Sequence, residues 1–148
     1  MLGFVAGSAL LAASSAIHLQ LWSMGYRAIP TIGALFLLQG LAGALLAILL
    51  LLSRRLLLVI TAAGFMVATI GGLLLSVYFG LFGFKETLAA PYAGLSLAVE
   101  SAGAVVLAVV GVVLLRGHRH LTTVNRRPTE ARDTHDQARI ATEGAPSD

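Results

Sequence analysis

Four long apolar runs follow one another along the chain, at about residues 1–22, 31–52, 56–79 and 92–115. Each is long enough for an α-helix, which rises about 1.5 Å per residue, to cross a hydrocarbon core of about 30 Å. None shows the period-two alternation of a β-strand, and an isolated strand cannot satisfy its backbone groups within a bilayer. The pattern predicts an all-α fold, a transmembrane four-helix bundle. No Lys or Arg precedes the first run, so we interpret it as a retained helix and not as a cleaved signal peptide.

Charged residues are concentrated at the end of the chain. They make up 11% of the 148 residues, whereas a soluble domain has about 25%. Residues 1–115 contain six of the 17 charges, and the other eleven lie from Arg116 onward. This distribution argues against soluble enzymes, secreted disulfide-rich domains and nucleic-acid-binding proteins. It divides the chain into a transmembrane domain, 1–117, and a polar cytoplasmic tail, 118–148, which is predicted to be disordered.

Arginines mark one side of the predicted bundle. Arg54 and Arg55 lie in the short connector between the second and third runs, and Arg116 and Arg119 follow the fourth. The positive-inside rule places them, and with them both termini, in the cytoplasm of a bacterial cell, so that the chain is expected in the inner membrane. We expect these four side chains to contact anionic lipid head groups. Aromatic residues cluster on the opposite side, as in an interfacial belt: Trp22, Tyr26, Tyr78, Phe79, Phe82, Phe84 and Tyr92.

Polar residues within the apolar runs are the candidates for chemistry. Glu100 is the first candidate, because placing a charged group inside a bilayer costs free energy. It lies roughly 13 Å below the outer boundary of the membrane at helical rise. Residues that share a helix face with it are small, which is typical of a face packed against other helices. Similar stripes of small residues place His18 on the inward face of the first helix and Gln39 on that of the second. A stripe through Gly64 and Ala68 places Tyr78 on the inward face of the third helix. The sequence thus predicts a polar cluster of Glu100, His18, Gln39 and Tyr78, which Arg27 and Glu86 of the outer connectors could cap.

Two interpretations of this cluster stay open. In one it is structural: a buried Glu100 stays protonated and shares hydrogen bonds with Gln39 and His18. In the other it handles protons or binds a ligand, with Glu100 and His18 as the titrating pair. No catalytic residue, metal site or cofactor is predicted. The chain has no cysteine, and a transmembrane haem normally needs two axial ligands, whereas the helices contain one histidine. Whether the chain is an enzyme stays open, with a non-enzymatic role favoured.

Three stretches carry a family resemblance. The first hairpin, from Ile17 to Gln39, together with residues 78–86 and 96–100, resembles small bacterial four-helix membrane proteins of unassigned function. The general plan over residues 1–116 is similar to the DoxX-like group, which pairs four helices with a histidine near the outer end of the first, here His18. The resemblance implies the fold and leaves the activity open.

Two classes of function are compatible with the sequence. The first is an integral inner-membrane protein with a small-molecule- or proton-linked polar site in the outer half of the bundle. The alternative is a non-catalytic accessory or structural subunit, which packs against itself or against another membrane protein. A cavity that reaches Glu100 would favour the first class, and a fully hydrogen-bonded Glu100 beside an unoccupied small-residue stripe would favour the second.

Overall fold

The computed structural model describes residues 1–117 and contains one α-helix for each apolar run. The helices are α1, Leu2–Met24; α2, Ile32–Leu52; α3, Leu56–Tyr78; and α4, Ala93–Gly117. Over these residues no sheet forms beyond one isolated bridge between Leu81 and Phe84. The predicted all-α fold is therefore confirmed. The tail, 118–148, with Arg119, lies outside the described residues.

Each of the four helices is long and apolar enough to cross a membrane, which is the architecture of a multi-pass membrane protein. The short connector 53–55 joins α2 to α3 at one end, which we call the Arg54 end. We call the opposite end the Glu86 end. There a 3-10 helix, Tyr26–Ala28, lies between α1 and α2, and residues 79–92 lead from α3 to α4.

Glycines on α1 and α4 allow close helix packing in the part of the bundle between Glu100 and the Arg54 end. A Cβ atom at Gly7 of α1 would lie 2.7 Å from Leu107 of α4, and one at Gly103 of α4 would lie 3.0 Å from Met66 of α3. At each of these glycines a large side chain of the neighbouring helix packs directly against the helix backbone. The most deeply buried apolar side chains fill this region: Leu11, Leu50, Val59, Ala62, Met66 and Leu107.

The buried face of α3 differs from the predicted one. The predicted stripe ran through Gly64, Ala68, Gly71, Leu75 and Tyr78, of which all but the half-buried Gly71 are exposed. The buried residues of α3 are instead Val59, Ala62, Met66, Thr69 and Ser76, on nearly the opposite side of the helix. The prediction followed small residues, but α3 is apolar on every side. Its two inward hydroxyls, on Thr69 and Ser76, were the better signal.

Candidate functional site

Glu100 is buried in the middle of the four helices, with only 1% of its surface exposed. The hydroxyl of Ser14 on α1 donates a hydrogen bond to its Oε1 atom at 3.1 Å, and that of Ser96, one turn earlier on α4, donates a second at 2.9 Å. Because both serines reach the same oxygen, Oε2 is left for other partners. Two hydroxyl donors also make this buried carboxyl less costly than an unpaired one would be.

His18 lies beside this carboxyl, and its orientation is set by the backbone of its own helix. Its Nδ1 atom is 2.8 Å from the carbonyl oxygen of Ser14; since a carbonyl only accepts, Nδ1 carries a proton. The other ring nitrogen, Nε2, is 3.7 Å from Glu100 Oε1. A neutral imidazole therefore turns a lone pair towards the carboxyl. A single proton on either group leaves the pair with no net charge. The pair is then either a carboxylic acid beside a neutral imidazole or a carboxylate beside an imidazolium.

A cavity of about 500 Å³ extends from this pair towards the Glu86 end. Residues of α2 and α3 form most of its wall, and most of the lining is apolar. Leu38 lies at the edge of the cavity, since it belongs to the lining while 64% of its surface is exposed. The polar members of the lining are His18, Tyr26, Gln39, Thr69, Ser76, Glu86, Ser96 and Glu100.

The structure brings three of the four predicted cluster residues to one cavity. Glu100, His18 and Gln39 all line it, although the hydrogen bonds to Glu100 come from the two serines and not from Gln39. Tyr78 does not converge with them: it is 65% exposed and lies outside the lining, because α3 turns its other face inward. Ser14 and Ser96 are small residues of the predicted inward faces, and the sequence prediction did not include them in the cluster. The spacing of Ser96 and Glu100, four residues apart on one helix, could have indicated their hydrogen bond.

Of the two predicted cap residues, Glu86 lies at the cavity and Arg27 does not. Glu86 belongs to the lining, and its Oε2 atom accepts a hydrogen bond of 2.6 Å from the hydroxyl of Tyr26. Arg27 is exposed and outside the lining. Tyr26 was foreseen only as part of an aromatic belt. Burial raises the pKa of the Tyr26 phenol, and the hydrogen bond to Glu86 and the charge of that carboxylate raise it further.

Three aromatic rings connect the Glu86 end of the cavity with His18. The Tyr26 ring stacks on Phe36 with 4.7 Å between centroids, and Phe84 meets Tyr26 edge-on at 5.8 Å. Phe36 in turn lies 5.4 Å from the His18 ring. Aromatic pairs at these separations stabilise one another beyond the area that they bury. The rings therefore form a packed wall on one side of the cavity.

Glycine is required at two places that position this wall. A Cβ atom at Gly33, in the first turn of α2, would lie 2.8 Å from the carbonyl oxygen of Tyr26, so only glycine lets the 26–28 segment lie against α2. In the connector after α3, Gly80 and Gly83 have φ angles of 79° and 80°, which favour glycine. Between them the chain doubles back, with the Leu81 amide donating to the Phe84 carbonyl at 2.7 Å. Leu81 and Phe84 both line the cavity as a result.

The arginines predicted to contact lipid are exposed where the structure describes them. Arg54, Arg55 and Arg116 each have an exposed side chain. The Arg54 guanidinium also lies 5.9 Å from the centroid of the Phe4 ring on α1, within the range of a cation–π contact.

Comparison with protein families, with characterised proteins and with solved structures finds no match to this chain. The resemblance to DoxX-like proteins stays a prediction. Within residues 1–117, no three His, Asp or Glu side chains come together as a group that could hold a metal ion. The chemistry of the site therefore has to be inferred from the side chains around the cavity.

Proposed function

We propose that this chain is a multi-pass protein of the inner membrane that binds a small, mainly apolar molecule in the cavity between α2 and α3. Both termini lie in the cytoplasm, so the Glu86 end of the cavity faces the outer half of the bilayer. Binding is coupled to the proton held by Glu100 and His18, which form the polar end of the site.

One observation supports this proposal above the others: a cavity of about 500 Å³ leads to a carboxyl group that is otherwise buried. Ligand sites in proteins are typically of about 300–1,000 Å³, mostly apolar, with a few polar groups that orient the ligand. An ionisable side chain within a membrane-spanning segment also favours a functional role over a structural one. Glu100, His18 and Gln39 supply the polar groups, while Phe36 and Phe65 belong to the apolar wall.

The arrangement around Glu100 explains how binding and protonation are linked. Ser14 and Ser96 hold Oε1 in place, so a ligand in the cavity meets a carboxyl of fixed orientation. A ligand that donates a hydrogen bond to the ionised carboxyl favours loss of the shared proton, and one that accepts a hydrogen bond favours its retention. His18 is the neighbouring group to which that proton can move.

The accessory-subunit alternative rests on a different face of the molecule. Gly64 of α3 is exposed, and within residues 1–117 no atom beyond the adjoining backbone of α3 lies within 4 Å of a Cβ built at Gly64 or at Gly71, so another helix could approach there closely. In that alternative the hydrogen bonds of Glu100 serve only to hold α1 to α4. The cavity then takes up no molecule, and its lining is closed to reagents.

A single cysteine in the lining tests the proposal, because the chain has none of its own. Ala93 and Ala62 are both buried, at 5% and 0% exposure, but only Ala93 lines the cavity. We expect Ala93→Cys to react with the neutral reagent methyl methanethiosulfonate at least about tenfold faster than Ala62→Cys, because the reagent enters the cavity. Equal, slow rates for both variants would contradict the proposal and favour the accessory subunit. The rates are measured on folded protein in detergent by mass spectrometry.

A further inference from the structure

The charged and titratable groups around the cavity indicate what kind of molecule it takes. Glu86 of the connector after α3 and Glu100 of α4 contribute two carboxyl groups to the lining. No Lys or Arg lines the cavity over residues 1–117. The electrostatic potential inside a cleft has the sign of the charged groups that line the cleft. Walls of low dielectric constant strengthen that potential. Once the proton shared by Glu100 and His18 has left, both carboxylates repel an anionic ligand and attract a cation.

A hydroxyl group with no partner offers the molecule a further hydrogen bond. Ser76 lines the cavity and is only 6% exposed, yet its Oγ atom has no hydrogen-bond partner among the described residues. A buried polar atom left unpaired is costly, and ordinary proteins leave few of them. An N–H group of a ligand would satisfy this oxygen. Glu100 Oε2 and the amide oxygen of Gln39 offer two further acceptors at the same cavity.

The aromatic wall favours a positive charge as well. Tyr26, Phe36 and Phe84 pack together at the Glu86 end, and all three line the cavity. The face of an aromatic ring attracts a cation, and more strongly where water is excluded. Most of the remaining lining is apolar, so the rest of the ligand must be apolar.

From these observations we infer that the cavity binds an organic ammonium ion, a protonated amine on an aromatic or alkyl body, with its charge held between Glu86 and Glu100. This inference rests on the proposed function and specifies its ligand. The cavity volume of about 500 Å³ fits a molecule of this kind and not a bare ion. The N–H groups point to the carboxyls and to Ser76, and the apolar body lies between α2 and α3.

Binding of the ammonium ion releases a proton from the site. When the cation enters, the proton shared by Glu100 and His18 leaves, so that the buried charge of the site does not change and no uncompensated charge is created. Affinity therefore rises as the pH rises. Besides this pair, the titratable groups of the lining are Tyr26 and Glu86, both from the connectors. From α2 and α3 come only groups that do not titrate: Gln39, Thr69 and Ser76.

The inference is tested by measuring how well three probes of matched shape protect the cavity cysteine from labelling. These are 4-phenylbutylammonium, 4-phenylbutanol and 4-phenylbutyrate, with charges of +1, 0 and −1. In Ala93→Cys we expect the ammonium to slow labelling by methyl methanethiosulfonate at concentrations at least about tenfold below those needed for the alcohol, and the butyrate to protect least. Adding Glu100→Gln should weaken protection by the ammonium about tenfold and leave the alcohol unchanged. Glu86→Gln, at the other end, should act in the same direction.

The outcomes separate this inference from the proposed function. Equal protection by the ammonium and the alcohol, unaffected by Glu100→Gln, would overturn the ammonium ligand while leaving small-molecule binding intact. No protection by the ammonium in a variant that is labelled rapidly would also overturn it. Slow labelling of Ala93→Cys without any probe would instead overturn the proposed function. Weaker protection by the ammonium at lower pH, lost with Glu100→Gln, supports the exchange with a proton, and protection independent of pH contradicts it.

Discussion

Glu100 shows how a carboxyl group is accommodated among apolar helices. Its Oε1 atom accepts from Ser14 and Ser96, and His18 Nε2 lies 3.7 Å away. All three partners come from α1 and α4, so the carboxyl also joins these two helices. Interhelical hydrogen bonds in membranes contribute about 0.6–2 kcal/mol each. The same group can thus stabilise the bundle and serve as the polar end of a ligand site.

Two substitutions at Glu100 separate its hydrogen bonding from its charge. Glu100→Gln should retain nearly full stability, because the amide oxygen accepts from both serines. Glu100→Leu should lower the free energy of unfolding by about 1–3 kcal/mol, because it leaves the buried polar partners unpaired. Unfolding of detergent-solubilised protein measures both. A Leu variant as stable as the Gln variant would show that these hydrogen bonds contribute nothing.

Tyr26 predicts a pH dependence of stability at the Glu86 end. Its pKa is raised above the ordinary value of 10.0 in the folded protein, so at high pH the unfolded chain loses this proton first. Stability should be at its full value below about pH 10 and fall as the pH rises further. Tyr26→Phe should remove that part of the decline and cost about 1 kcal/mol at neutral pH through loss of the Glu86 hydrogen bond. Tyr78→Phe is the control, since Tyr78 is exposed; an equal effect from both would contradict the account.

The sequence predicted the residues of the site where polarity and helical spacing agree. On α4 and α1 the inward stripes contain Glu100 and His18, and both are buried. Tyr26 could not be predicted, because its place in the cavity depends on a turn outside the helices and on a contact with Glu86, 60 residues away. No helical periodicity describes either feature.

At the scale of elements, α3 shows the limit of reading helix faces in a membrane protein. In a soluble helix the polar face is exposed and the apolar face is buried. In a bilayer both faces are apolar, so a stripe of glycines can face outward, as Gly64 does. The inward face carries Thr69 and Ser76, since polar side chains avoid lipid. Orientation is therefore predicted best from hydroxyls and charges, and small residues are a weaker guide.

Two glycines on neighbouring helices provide a matched test of packing. Gly33→Ala should destabilise the protein by about 1–3 kcal/mol, because its Cβ would lie 2.8 Å from backbone atoms of Tyr26 and Arg27. Gly64→Ala should be neutral or stabilising by up to about 1 kcal/mol, because space is open there and alanine favours a helix. Thermal unfolding in detergent compares them. Equal effects of the two changes would show that the 26–28 segment does not lie against α2.

At the scale of the whole described region, the two ends of the bundle differ in how they are filled. Large apolar side chains such as Leu11, Met66 and Leu107 fill the part below Glu100 towards the Arg54 end. Above it, the space between α2 and α3 is left as a cavity. An apolar space of this size that ends on a buried carboxyl group is typical of a ligand site.

The proposed orientation in the membrane is tested by two serines at opposite ends. Ser23, near the end of α1, lies at the Glu86 end, and Ser53 lies at the Arg54 end. In intact cells, Ser23→Cys should react with a membrane-impermeant thiol reagent, whereas Ser53→Cys should react only after the membrane is permeabilised. Labelling of Ser53→Cys alone in intact cells would invert the orientation.

The most direct test of the central claim is to locate a small molecule in the cavity. Crystals grown from a lipid phase are soaked with bromobenzene, a neutral probe whose bromine gives an anomalous signal. We predict a bromine peak between α2 and α3, in contact with Phe36 and Phe65, which both line the cavity that reaches Glu100. Filling the cavity with Ala42→Phe, at a half-buried position of the lining on α2, should remove that peak. Bromine found only on lipid-facing surfaces, with α2 and α3 closed against each other, would contradict the account.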